Sequence, residues 1–247
     1  MGAISVTWRR EVRAFGGAYS CAIPVAAFLA VCGWSFVAAL RQAEGSVLQL
    51  PTVWGLSVSL WLPVLCAVLT MRLFAEERSS GMIELLLSSP IMERDLVMGK
   101  FLSAMTVVAV SIGLSLLAPL AVLPAVSPPL AASCRLLPFA PAFLILLLQA
   151  ALWCSAGLMV SVYSRTQASA AVSSLVLCCG LPVALYVAVL FWVPSIRSET
   201  SSMPQLVHVY DFSTGLYSAA TVAAYLFPSL FFLFASSKRL AWIRLKG

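Results

Sequence analysis

The sequence predicts an all-α integral membrane protein with six transmembrane helices, both termini cytoplasmic and a short cytoplasmic helix between helices two and three. Three observations carry that prediction. Hydrophobic residues make up 62% of the 247 residues and charged ones only 10%, and the mean hydropathy of +1.00 lies far outside the range of soluble domains. The charges fall in clusters separated by six long stretches that contain none. Basic residues are spread unevenly between alternate connections. A soluble enzyme domain is excluded.

The uncharged stretches are 14–40, 45–71, 101–134, 136–164, 166–196 and 212–237. Each exceeds the ~20 apolar residues that a helix needs to cross a ~30 Å hydrocarbon core. They lack the alternating polar residues of a β-barrel, so helices are left as the way to satisfy the backbone in lipid. With both termini inside, the cytoplasmic set is Arg9, Arg10, Arg13, Arg72, Arg78, Arg94, Lys100, Arg165, Lys238, Arg239, Arg244 and Lys246. Only Arg41, Arg135 and Arg197 then lie outside. This bias sets the orientation, and it accounts for the net charge of +6 without nucleic acid as a partner.

The first stretch reads as an uncleaved span. It is longer than a signal-peptide core, Val31 is bulky where a cleavage box wants a small residue, and five further spans follow. The whole chain, 1–247, is expected to form one transmembrane domain without a low-complexity tract or a convincing internal repeat, spans one to three and four to six being at most weakly related. Ahead of the first span, within about residues 4–15, Ile4, Val6, Trp8, Val12 and Phe15 alternate with Arg9, Arg10, Glu11 and Arg13. Such a segment either lies as a helix along the cytoplasmic lipid face or serves as a charged cap on span one.

Span two is expected to end at Met71-Arg72. The loop that follows, 72–100, carries Arg72, Glu76, Glu77, Arg78, Glu84, Glu93, Arg94, Asp95 and Lys100 and is the one substantial cytoplasmic element between spans. Within it Ser79-Ser80-Gly81 breaks the chain, residues 82–88 read as a short helix, and Ser89-Pro90 stops it. Ile83, Leu86 and Leu87 share one face, Met82 and Leu85 widen the stripe, and Glu84 sits near the positive helix end. A second helical start at about residues 92–95 runs into span three. Each buried Leu or Ile is worth about 1.5–3 kcal/mol. The short helix therefore either folds back onto span ends and headgroups or inserts into a groove on another protein.

Chemistry is conspicuously missing. No ionisable residue is expected at membrane depth, which disfavours an ion-coupled transporter. GxSxG and Ser-x-x-K do not occur, and the single histidine, His208, reads as a solvated residue of the outer segment 195–215. Arg94 stands where a phosphate-binding loop ending in Gly99-Lys100 would need Gly, so ATP hydrolysis by that route is excluded. The cysteines Cys21, Cys32, Cys66, Cys154, Cys178 and Cys179 lie in apolar stretches and only Cys134 lies near the outer face. Without CxxC or Cys/His spacing they read as small hydrophobes, with no metal site, cofactor or redox role.

The run Phe74-Ala75-Glu76-Glu77-Arg78-Ser79-Ser80-Gly81-Met82-Ile83-Glu84-Leu85-Leu86-Leu87-Ser88-Ser89-Pro90, continuing to Gly99-Lys100-Phe101, resembles the first cytoplasmic loop of permease subunits of type-two ABC exporters. It is most similar to the gliding-motility-type branch. Met82 stands where that pattern has Thr. The outer run from His208 to Leu216 is similar to the segment before the last span in the same branch, with Thr214 replacing an Arg and Ser218 an Asp.

The resemblance implies a permease that has no ATPase site of its own. It would dimerise, as a homodimer or a heterodimer, and pair with cytoplasmic ABC ATPase subunits in the bacterial inner membrane, among lipid. An extracytoplasmic accessory protein is a further candidate partner. The short helix would be the coupling helix seated in an ATPase cleft. Met82, Ile83, Leu85, Leu86 and Leu87 would be its apolar insert, Gly81 and Pro90 its boundaries, and Glu76, Glu77, Arg78 and Glu84 its polar rim. The alternative is a membrane scaffold whose loop binds a partner while nothing crosses the bilayer.

Overall fold

The computed structural model describes residues 3–17, 19–42, 50–79, 92–126, 139–164, 166–180, 182–184, 187 and 204–246. Among these there is no strand. The helices are α1 (Ala3–Gly17), α2 (Tyr19–Gln42), α3 (Leu50–Ser79), α4 (Glu93–Ser115), α5 (Leu117–Val126), α6 (Phe139–Tyr163), α7 (Gln167–Leu175), α8 (Pro204–Ser213) and α9 (Ala219–Lys246). A π-helical turn, Val176–Gly180, prolongs α7. Six segments are long and apolar enough to cross a membrane: Cys21–Arg41, Leu50–Ala75, Glu93–Val122, Phe139–Tyr163, Gln167–Ala184 and Ala219–Leu245.

Two of these form the centre. In α3 67% of the most apolar window is buried and in α6 56%, against 17–28% in the other four. Small residues let helices approach where lipid gives no hydrophobic drive between them. Gly157 of α6 lies against Thr70 of α3, so closely that a Cβ there would overlap Thr70 Oγ1. Gly55 of α3 lies against Val209 of α8, 2.8 Å from where its Cβ would stand. Polar contacts join the same helices. Trp54 donates its indole N–H to Ser115 Oγ at 3.1 Å, linking α3 to α4 beside an edge-to-face contact with Phe139 of α6. Ser161 Oγ accepts from the N–H groups of Phe74 and Ala75, each at 3.2 Å, and donates to Met71 O at 3.3 Å.

One boundary differs from the sequence expectation. The helix of span two does not end at Met71-Arg72 but continues to Ser79, because nothing before Ser79-Ser80-Gly81 breaks it and Leu73, Phe74 and Ala75 are buried. The last apolar stretch is not one helix, because its first residues, Phe212 and Ser213, close α8. Helix α8 ends there in a Schellman-type cap, with Leu216 N–H on Asp211 O at 2.9 Å and Gly215 N–H on Phe212 O at 3.1 Å. The cap needs the left-handed backbone that Gly215 supplies at φ +89, and α9 begins only at Ala219. The 195–215 segment thus contains a helix, α8, packed on α3 and α6. Between α6 and α7, the Thr166 side chain accepts from Ser169 N–H at 3.2 Å and Ser169 Oγ accepts from Thr166 N–H at 3.4 Å, a reciprocal cap.

Candidate functional site

The roots of the 80–91 segment lie at one end of the bundle, where both terminal helices also meet. Helix α3 delivers Glu77 in its last turn, α4 delivers Lys100 two turns from its start, and α1 delivers Arg10 and Glu11. Lys100 is buried to 1% exposure. Its ammonium lies 2.8 Å from Glu77 Oε1 and 3.3 Å from Glu11 Oε1, donates to Leu73 O at 2.6 Å, and stands 4.9 Å above the Phe74 ring. Three acceptors match the three N–H donors of an ammonium group, which is what makes so complete a burial tolerable. Arg10 reaches Glu77 Oε1 at 3.2 Å and Glu11 Oε1 at 3.1 Å. Two cations and two carboxylates therefore close a cluster without net charge, spanning α1, α3 and α4.

Sterics reinforce it. Gly99 faces Thr7 of α1: a Cβ at Gly99 would stand 2.7 Å from Thr7 Cβ and 3.4 Å from Ile4 O. Only glycine lets α1 lie this close. The start of α4 also receives the far end of the chain, since Arg244 of α9 pairs with Glu93 at 2.7 Å. Nearby, the Arg239 guanidinium lies over the rings of Tyr163 and Trp242, at 5.0 and 4.6 Å.

A second polar group lies at the α8 end. Gln149 of α6, fully buried, accepts from Ser59 Oγ of α3 at 2.8 Å. It donates to Gln205 O of α8 at 3.0 Å and to Tyr225 OH of α9 at 3.4 Å. Tyr225 OH in turn meets His208 Nδ1 at 3.0 Å. His208 is thus not the freely solvated residue expected from sequence: it is half-buried and edge-on to Tyr225. Burial pushes its imidazole below the ordinary value of 6.5, with Asp211 opposing. Among the described residues no group of three or more His, Cys, Asp or Glu is placed to hold a metal ion.

No curated protein matches the chain. The family model for the ABC-2 family transporter protein matches residues 14–235, most of the sequence.

The chain belongs to the ABC-2 transporter family.

It is therefore a multi-pass permease subunit of an ABC transporter, and ABC-2 permeases in general work as dimers with an ATPase partner. In this ABC-2 permease, the expected coupling residues fall in two groups. Glu76, Glu77 and Arg78 sit on the last turn of α3, and of these only the Glu77 side chain is described. Gly81, Met82, Ile83, Glu84, Leu85, Leu86, Leu87 and Pro90 lie outside the described residues. Sequence reasoning missed Lys100, Glu11 and Arg10 as members of the same cluster. The Gly99-Lys100 pair held the available signal: a glycine at a point of close approach beside a cation at the edge of a span.

Proposed function

We propose that the chain is the permease of an ATP-driven exporter of the gliding-motility-type branch, in the bacterial inner membrane. The two termini and the 72–100 loop face the cytoplasm, and residues 82–88 form a coupling helix that docks into a separate ATPase subunit. The observation that carries this reading is the apolar run between Gly81 and Pro90, inserted between two spans whose ends are tied by the Glu77–Lys100 pair. A short apolar stripe gains its 1.5–3 kcal/mol per large side chain only when a partner buries it. Its mounting on paired span ends would turn motion of that partner into tilting of α3 and α4. Orientation follows from the excess of basic residues at the end where α1, the α3–α4 junction and the end of α9 meet.

The test is co-purification with an ABC ATPase subunit encoded near this reading frame. Leu86→Asp replaces a buried apolar contact by a charge and is expected to weaken the association about 30-fold or more. Association unchanged in Leu86→Asp would remove the coupling role. Firm ATPase binding by the unsubstituted chain, with no ATP-dependent change in the permease, would favour a scaffold.

A further inference from the structure

The amino-terminal helix α1 ends at Gly17 and α2 starts at Tyr19, so α1 is a separate element whose position depends on what its side chains touch. What they touch is the junction of α3 and α4. We propose that Glu11 is a positioning residue for the energy-coupling step: through Lys100 it fastens α1 to both roots of the 80–91 segment, so that α1, the end of α3 and the start of α4 move as one body. This rests on the coupling role proposed above.

The cluster draws contributors from every element that must stay together. Lys100 draws on Glu11 of α1 at 3.3 Å and on Glu77 and Leu73 O of α3 at 2.8 and 2.6 Å. Arg10 makes a second link from α1 to Glu77. Detaching α1 would leave the buried ammonium with a single carboxylate, in surroundings where charge separation is resisted far more than in water. The steric contact of Thr7 on Gly99 is independent of charge and fixes the same pair of helices. Glu11 thus lies outside the segment that would dock into the ATPase and yet sets how stiffly that segment is mounted.

The experiment uses the permease–ATPase complex in nanodiscs, on a background with the native cysteines replaced. A cysteine is placed at exposed Tyr210 on α8, at the opposite end of the bundle. The rate at which an impermeant maleimide modifies it is measured with and without vanadate-trapped nucleotide. With Glu11 intact, trapping is expected to change the rate about fivefold. Glu11→Gln should keep ATPase association and ATP hydrolysis within about twofold while losing most of that response, and Glu11→Asp should restore part of it.

A full response in Glu11→Gln overturns the proposal and leaves the coupling role standing. No response with Glu11 intact overturns both. Should Glu11→Gln fail to assemble, spin labels at exposed Arg13 and Arg94, with Glu11 retained, decide the matter. Their separation should stay constant through the cycle, and a shift of about one helical turn, ~5 Å, would show that α1 and α4 do not move together.

Discussion

Lys100 is the residue on which the organisation of its end of the bundle turns. Replacing one member of a buried ion cluster leaves its partners uncompensated, at a cost of about 3–5 kcal/mol. Lys100→Met should therefore lower the melting temperature in detergent more than any single surface change. The double variant Lys100→Met with Glu77→Gln, which leaves Arg10 and Glu11 balanced, should recover part of the loss. His208 gives a prediction with a definite sign. Its folded-state value lies below the ordinary 6.5, so below that pH the unfolded chain binds the proton more readily and stability declines as pH falls. Melting curves from pH 7.5 to 5.5 should fall more steeply for the unsubstituted protein than for His208→Gln. Equal slopes would remove His208 as the cause. For the first role the sequence held only the partial signal of the Gly99-Lys100 pair, and for the second it held none. A cation at the edge of an apolar stretch looks the same whether water or a crossing helix covers it, and the lone histidine meets its tyrosine partner only once α8 packs on α3 and α6 within reach of α9.

The six spans were legible because length and apolarity are local properties, and lipid allows the backbone few alternatives. The helical extension to Ser79 and the separate helix α8 were not, since each depends on tertiary burial or on the conformation of a single glycine. The π-helical turn at Val176–Gly180 has no signature in composition at all. Packing between elements gives the third prediction. The α3–α6 pair depends on the contact of Gly157 with Thr70, and Gly157→Ala should force the helices apart at a cost of about 1–3 kcal/mol. Thr70→Ala, which removes both the hydroxyl and the methyl that the new Cβ would meet, should rescue much of it. Thermal unfolding of the single and double variants measures the coupling, and simple additivity would show that these two residues do not set the spacing.

Across the whole molecule, the two chain ends converge on the start of α4: Glu11 of α1 reaches Lys100 and Arg244 of α9 reaches Glu93. The polar chain from Ser59 to His208 stitches α3, α6, α8 and α9 together at the other end. The bundle is thus fastened by the ion cluster at one end and by a polar chain that runs inward from the other to Gln149, with apolar contacts and small residues filling the rest. On the proposed reading, its energy arrives through the 80–91 segment. A photo-crosslinking amino acid placed at Ile83, with a control at Tyr210, tests this most directly in the membrane-embedded complex. The account predicts that Ile83 is captured by the ATPase subunit and Tyr210 is not; capture of Ile83 by lipid alone, with the ATPase held through another surface, would contradict it.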